Sequence, residues 1–139
     1  MATNPRSSVE NEQCKNWLST LVYSGALVII PEIADYEVRR ELLRADKRPG
    51  IARLDALKAL LAYEPIRTPA MLRAAEFWST ARKMGKHSAA DAALDADMIL
   101  AAQAAELSGK GHDAIIATTN LRHLSLFASA RVWRDFRAS

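Results

Sequence analysis

The sequence predicts one α/β domain, in which a mainly parallel sheet carries helices on both faces. Two runs of consecutive apolar residues, Leu27 to Ile30 and Ala114 to Thr118, are typical of strands that are buried on both sides. Between them, apolar residues recur three and four positions apart, which indicates amphipathic helices. Strands that alternate with helices build βαβ units, whose strands run parallel. We therefore expect a single domain over residues 1–139.

The first predicted element is a helix that ends at Gly25, since glycine commonly terminates helices. Ser7 and Glu10 have the spacing of a capping box at its start. The strand Leu27 to Ile30 follows, and Pro31 stops it. The apolar face of the helix consists of Cys14, Trp17, Leu18, Leu21 and Val22.

A helical hairpin is predicted next. Its first arm starts at Glu32, and the dipeptide Pro49-Gly50 interrupts the pattern before the second arm. A weak strand is expected from Glu64 to Arg67. Thr68-Pro69 then forms a suitable cap and first turn for another helix, which Gly85 closes.

The apolar stripe of that helix is predicted from Met71, Ala75 and Trp78, and the Trp and Met side chains of the chain are expected in the core. The C-terminal third is predicted to contain a helix capped by Asp95, a strand, a short helical turn and an edge strand. Their expected ranges are Ala96 to Ser108, Ala114 to Thr118, Leu121 to Phe127 and Arg131 to Trp133.

The composition excludes several classes of protein. Apolar runs are far shorter than the roughly 18 residues that span a bilayer, so no membrane insertion is expected. One cysteine, Cys14, excludes an internal disulfide framework and a cysteine-built zinc site, and favours the cytoplasm. The formal net charge of +3 gives a mild bias toward polyanions. No glycine-rich phosphate loop follows a predicted strand, and the three histidines lack metal-ligand spacing.

Polar side chains are expected to meet at the carboxyl end of the predicted sheet. Glu37 lies one turn beyond Ile33, after the first buried strand, and Thr118 and Asn120 lie at the end of the second. Asp97 begins the late helix, below the small residues Ala101 and Ala104 on the same face. Carboxylate, hydroxyl and amide oxygens suit Mg²⁺ or Mn²⁺. A purely structural role, in which the acids stabilise helix N-termini, is about equally compatible with this spacing.

Three segments together resemble PIN domains of the VapC-like toxin type: Pro31 to Leu42, Leu94 to Ala102 and Ile115 to Asn120. Their order and spacing cover nearly the whole chain. The resemblance implies a three-layer α/β/α sandwich with a mainly parallel sheet. It also implies an endoribonuclease that depends on Mg²⁺ or Mn²⁺ and is restrained by a cognate antitoxin protein.

By motif position, Glu37 and Asp97 match the second and third metal-binding acids of that family, and Thr118 and Asn120 match its Thr-x-Asn signature. The resemblance further implies a first strand ending in an Asp, and that strand is missing upstream of the first predicted helix. We therefore expect weakened metal binding. We also expect a gap in the sheet near the first helix, or its filling by a second copy of the chain or another segment.

The leading interpretation is a ribonuclease that hydrolyses RNA phosphodiesters in a toxin–antitoxin system, impaired by the absent first acid. Arg39, Arg40 and Arg44 are the candidate contacts to RNA phosphates. Solvated helix faces with local acidic partners are the alternative for these charges. The alternative function is a non-catalytic PIN-like module that binds RNA or an antitoxin.

Overall fold

A computed structural model describes residues 13, 16–85, 91–118, 121 and 123–133, and the chain divides into two compact units. The first unit contains helix α1, residues 16–23, which confirms the first predicted helix. Gly25 follows with a φ of 87°, a backbone conformation that favours glycine. The second unit runs from Ile29 to Phe136. The predicted capping pair Ser7 and Glu10 lies outside the described residues.

The described residues of the second unit form four three-residue strands in two parallel pairs. These are β1 (Ile29–Pro31) with β2 (Ala62–Glu64), and β3 (Ile116–Thr118) with β4 (Ala130–Val132). The parallel pairing and the helices between the strands confirm an α/β fold. A continuous sheet between two helical layers stays a prediction.

The two predicted buried strands form, but not as the central members of one sheet. Within the described residues β1 pairs with β2 alone and β3 with β4 alone. β1 also starts two residues later than predicted and is half-buried, while Leu27 is 65% exposed. The expectation that Leu27 to Ile30 and Ala114 to Thr118 are both central members of one parallel sheet is therefore wrong for the part of the chain described.

The predicted helical hairpin is confirmed, and two longer helices follow it. The helices are α2 (Glu32–Arg44), α3 (Arg48–Leu60), α4 (Thr68–Lys83) and α5 (Asp91–Gly109). Asp46 takes a φ of 54° in the turn between α2 and α3, a conformation that aspartate tolerates better than most residues. A 3₁₀ turn at Leu124–Leu126 confirms the short helical turn.

Several element boundaries differ from those predicted. Arg67, not Thr68, is the N-cap of α4, so Pro69 occupies its first turn without a side-chain cap. Helix α5 begins at Asp91, which places Asp95 inside the helix rather than at its cap. The strand β2 lies before the predicted range Glu64 to Arg67 and overlaps it only at Glu64.

The main core is formed where α4 packs on α5, through small residues that allow close approach. The buried members are Ala70, Ala74, Ala81, Leu94, Met98 and Ala102. The predicted stripe of α4 is wrong, because Met71, Ala75 and Trp78 are all exposed. The prediction that the Trp and Met side chains lie in the core holds for Met98, which is buried. It is wrong for Met71, Met84 and Trp78, which are exposed.

A second buried cluster joins α5 to the β3–β4 pair. It consists of Ala101, Ala104, Ile116 and Leu124. Phe77 and Phe127 pack against both clusters, with their rings stacked at a centroid distance of 4.4 Å. Among the described helices none is long and apolar enough to cross a bilayer.

Candidate functional site

The carboxyl end of β1 leads directly into α2 and brings acidic residues to this end of the strand. Pro31 is the extended N-cap residue, and Glu32 and Asp35 occupy the first turn, where the helix dipole favours negative charge. Glu37 lies half-buried, one turn beyond the buried Ile33. The sequence-predicted acid Glu37 is thus close in sequence to two further acids at the same helix start.

Asp97 is the most deeply buried acid of the described residues, at 1% exposure. It lies in the second turn of α5, between the buried Leu94 and Met98. A carboxylate is costly to bury unless hydrogen bonds, an opposite charge or a cation compensate it. Buried ionisable groups are common at functional sites, so Asp97 is a candidate site residue.

The remaining predicted site residues are only partly described. Thr118 ends β3 and is half-buried, while Asn120 lies outside the described residues. The predicted convergence of Glu37, Asp97 and Asn120 on one cleft therefore stays a prediction. In the part of the chain that is described, no three His, Cys, Asp or Glu side chains are grouped closely enough to hold a metal ion.

The Arg39 guanidinium forms hydrogen bonds with two carboxylates. Its guanidinium donates to both carboxylate oxygens of Asp35, at 3.0 and 3.1 Å, and to Asp55 of α3 at 2.6 Å. These hydrogen bonds raise the pKa of Arg39 further above its usual value. The same contact with Arg39 lowers the pKa of the Asp35 carboxyl, with Lys58 contributing at 3.7 Å, although burial opposes the shift.

The other two candidate RNA contacts are more exposed. The Arg40 guanidinium lies 5.3 Å from the centroid of the Tyr36 ring, a cation–π geometry. Arg44 forms an exposed ion pair with Glu41 at 2.7 Å. Exposed ion pairs such as Arg44–Glu41 contribute little to stability. The guanidiniums of Arg40 and Arg44 are both exposed and therefore accessible to a phosphate group.

A groove of about 470 Å³ runs along α2, and its walls are mostly apolar. Tyr36, Leu43 and Met71 expose large parts of their side chains beside it. Its other lining residues are Glu32, Ile33, Asp35, Arg39, Arg40, Ile66 and Ile99. The groove thus combines apolar contact area with both signs of charge.

Three polar residues of this region were missed by the sequence reasoning. Glu32 accepts a 2.6 Å hydrogen bond from the Ile66 backbone N–H. Asp35 holds Arg39, and Gln103 bonds to backbone groups near the ends of β1 and β2. A signal existed for Glu32 and Asp35, since both lie within about two helical turns after the predicted strand. A signal existed also for Gln103, the single polar residue within an alanine run.

Burial raises the pKa of the Tyr63 hydroxyl, and the nearby Glu32 adds to that shift. The Lys58 ammonium lies 4.4 Å from the centroid of the same ring. Tyr63 therefore lies beside an acid of α2 and a cation of α3.

Comparison with protein families, with curated proteins and with solved structures found no match to this chain.

Proposed function

We propose that this chain is a PIN-type endoribonuclease that hydrolyses RNA phosphodiesters, acts in the cytoplasm and is restrained by an antitoxin protein. The observation that carries the proposal is the burial of Asp97, a carboxylate at 1% exposure between the buried Ala96 and Met98 of α5. A buried acid of this kind is favoured where it prepares a site for a cation.

The donor set suits a hard divalent cation, Mg²⁺ or Mn²⁺. Glu37 and Asp97 would supply carboxylate oxygens, and Thr118 and Asn120 a hydroxyl and an amide. Among the described residues no three possible ligand side chains lie together, so the proposal also requires that Glu37, Asp97 and Asn120 converge, which stays a prediction. A bound cation would lower the pKa of a water ligand and neutralise charge on the scissile phosphate.

The chain's own residues would position the RNA. Arg40 and Arg44 lie on the exposed side of α2, the helix that carries Glu37. Their guanidiniums can contact phosphates without reading the base sequence. Arg39 would act indirectly, because its ion pairs with Asp35 and Asp55 connect α2 to α3.

The test is cleavage of a labelled single-stranded RNA in the presence of Mn²⁺. Asp97→Asn and Glu37→Gln should each lower the cleavage rate by about hundredfold or more, since loss of groups around a metal already costs 10- to 100-fold. Asp95→Asn is the matched control, because Asp95 is an exposed acid two residues away on the same helix. Circular dichroism of each variant shows whether its helices are retained.

A non-catalytic module that binds RNA or an antitoxin is the second candidate. It is favoured by the groove along α2, where Tyr36, Leu43 and Met71 expose apolar surface of the kind found at protein interfaces. RNA binding without cleavage, unchanged by Asp97→Asn and by Mn²⁺, would support this candidate and contradict the ribonuclease.

A further inference from the structure

An aromatic side chain and an arginine lie together at the groove along α2. Tyr36 lines the groove and is 55% exposed. The guanidinium of Arg40, one helical turn further on, lies 5.3 Å from the centroid of the Tyr36 ring. An exposed aromatic ring is a surface on which a planar group can stack, and arginine both stacks on such groups and binds anions. The pair therefore suits a ligand that combines an aromatic ring with a negative charge.

The groove offers the volume and the walls that an aromatic ring needs. Its volume of about 470 Å³ lies within the range of pockets that hold small ligands. Ile66, Met71 and Ile99 contribute apolar surface to its walls. Met71 is 46% exposed, and a methionine thioether makes favourable contacts with aromatic rings. The groove can therefore enclose one planar group between α2 and its other walls.

The charges of the groove favour an anion at its mouth. The Asp35 carboxylate receives hydrogen bonds from Arg39, and the Glu32 carboxylate accepts one from the Ile66 backbone N–H at 2.6 Å. Both acids are therefore engaged within the protein. Among the charged residues that line the groove in the described part of the chain, only Arg40 is exposed. The accessible charge is positive and is thus complementary to a phosphate group.

We propose that the groove binds one unpaired nucleobase of the RNA, stacked on Tyr36, while Arg40 contacts its phosphate. The choice of RNA as the ligand rests on the ribonuclease function proposed above. The base has to be unpaired, because bases within a duplex are covered by their neighbours and protein aromatic residues stack on the bases of single strands. Every base has a π face, so the groove would select unpaired RNA with little preference for its sequence.

The groove adjoins the two segments that carry the proposed metal-binding acids. Tyr36 directly precedes Glu37 in α2, and Ile99 follows Asp97 by two residues in α5. A base that stacks on Tyr36 would therefore hold the RNA beside both segments. This gives the groove a role in the proposed function that Arg40 alone, a contact to phosphate, does not supply.

The experiment measures binding without cleavage, by fluorescence anisotropy of a labelled RNA in EDTA at about 50 mM salt. The two ligands are a single-stranded adenosine octamer and an octamer of the same sugar-phosphate chain without bases. The wild-type chain should bind the adenosine octamer about tenfold more tightly than the abasic octamer, since stacking on an aromatic side chain typically supplies such a factor. Tyr36→Leu should abolish this preference and leave the affinity for the abasic octamer unchanged.

Two further variants separate stacking in the groove from general effects. Tyr36→Phe keeps the aromatic ring and should retain the preference for the adenosine octamer. Trp78→Leu is the matched control, because Trp78 is also an exposed ring with an arginine beside it, Arg82 at 5.4 Å, but does not line the groove. This variant should bind both octamers as the wild type does. Urea unfolding of each variant checks that the fold is retained.

Equal binding of the two octamers by the wild type, no effect of Tyr36→Leu, or an equal effect of Trp78→Leu would overturn the proposal. So would a change of oligomeric state in Tyr36→Leu without any base preference of the wild type, because the groove would then be a protein interface. Absence of a base preference with Mn²⁺-dependent cleavage intact contradicts the groove assignment alone. A base preference that Tyr36→Leu abolishes, in a chain that does not cleave RNA, supports the groove assignment and contradicts the ribonuclease.

Discussion

The carboxylate of Asp35 lies against the guanidinium of Arg39, one helical turn away, and receives two hydrogen bonds from it at 3.0 and 3.1 Å. The Asp35 side chain is only 10% exposed, and Lys58 approaches it from α3 at 3.7 Å. The same guanidinium reaches Asp55 of α3. These ion pairs therefore connect the start of α2 to α3, next to the end of the strand β1.

The Asp35 contact predicts an acid-sensitive contribution to stability. The pKa of the Asp35 carboxyl is lowered in the folded protein, chiefly by the hydrogen bonds from Arg39. The contribution is present in full above the pKa of an unfolded aspartate, about 3.9, and is lost as the pH falls through the lower pKa of the folded state. Asp35→Asn should lower the free energy of unfolding at pH 7 by about 1 to 3 kcal/mol and should flatten its decline between about pH 5 and pH 2.

Urea unfolding followed by circular dichroism at a series of pH values measures this effect. Glu41→Gln is the control on the same helix, since the Glu41–Arg44 pair is mostly exposed. Its loss should change the free energy of unfolding by no more than about 0.5 kcal/mol. An equal effect of the two substitutions would contradict the special role of Asp35.

Arg39 and Arg40 are neighbours in sequence but should respond differently to substitution. Arg39→Gln removes the partner of Asp35 and Asp55 and should lower the free energy of unfolding by about 1 to 3 kcal/mol. Arg40→Gln removes an exposed cation and should leave stability nearly unchanged. If the chain binds RNA through α2, Arg40→Gln should weaken binding and reduce the salt dependence by about one phosphate contact. Fluorescence anisotropy of a labelled RNA at several salt concentrations measures the second effect.

The reverse result would be informative. If Arg39→Gln weakened RNA binding at unchanged stability, its ion pairs would be dispensable and the guanidinium would be an RNA contact, as the sequence reasoning expected.

Close packing between α4 and α5 predicts that an alanine cannot be enlarged there. Ala81 has no exposed surface in the core between the two helices. Ala81→Leu should lower the free energy of unfolding by about 1 to 3 kcal/mol, because extra methyl groups force neighbouring side chains apart. Ala75→Leu on the exposed face of α4 is the control and should be nearly neutral. Chemical denaturation of both variants would test the packing, and equal stabilities would contradict it.

The same alanines explain why the sequence misplaced the buried face of α4. The larger residues Met71 and Trp78 have helical spacing and were expected to face the core, yet the close approach of α5 leaves room mainly for Ala70, Ala74 and Ala81. Periodicity weighted by side-chain size favours the wrong face when two helices meet through small residues. The approach distance of two helices is a tertiary property that a local pattern does not contain.

The strands show which features of the fold a local sequence pattern can predict. Runs of β-branched residues predicted strands near Ile29 and Ile116, and strands form there. Their partners β2 and β4 are separate segments outside the two runs, so the separation into two pairs could not be predicted from the runs alone. The position of Asp97 on α5 was visible in the sequence, whereas the contact between Arg39 and Asp55, sixteen residues apart, required the hairpin turn.

Gln103 provides the last prediction, because it is the polar connection between α5 and the β1–β2 pair. It is buried, donates to the Glu64 carbonyl and accepts from the Ile33 N–H. Gln103→Leu leaves these two backbone groups without the side-chain amide and should lower the free energy of unfolding by about 1 to 3 kcal/mol. Ser108→Ala, at an exposed position of α5, should be nearly neutral.

Gln103→Glu separates the hydrogen bonds from simple packing, since glutamate has nearly the shape of glutamine. Its ionised carboxylate can accept from Ile33 but cannot donate to the Glu64 carbonyl, and burial opposes the charge. Burial should raise the pKa of the introduced acid, so this variant should regain stability as the pH falls and the carboxyl becomes protonated. Urea unfolding at pH 7 and pH 5 measures the difference between this variant and the wild type. A difference that does not shrink at pH 5 would mean that the amide hydrogen bonds do not connect α5 to the strands.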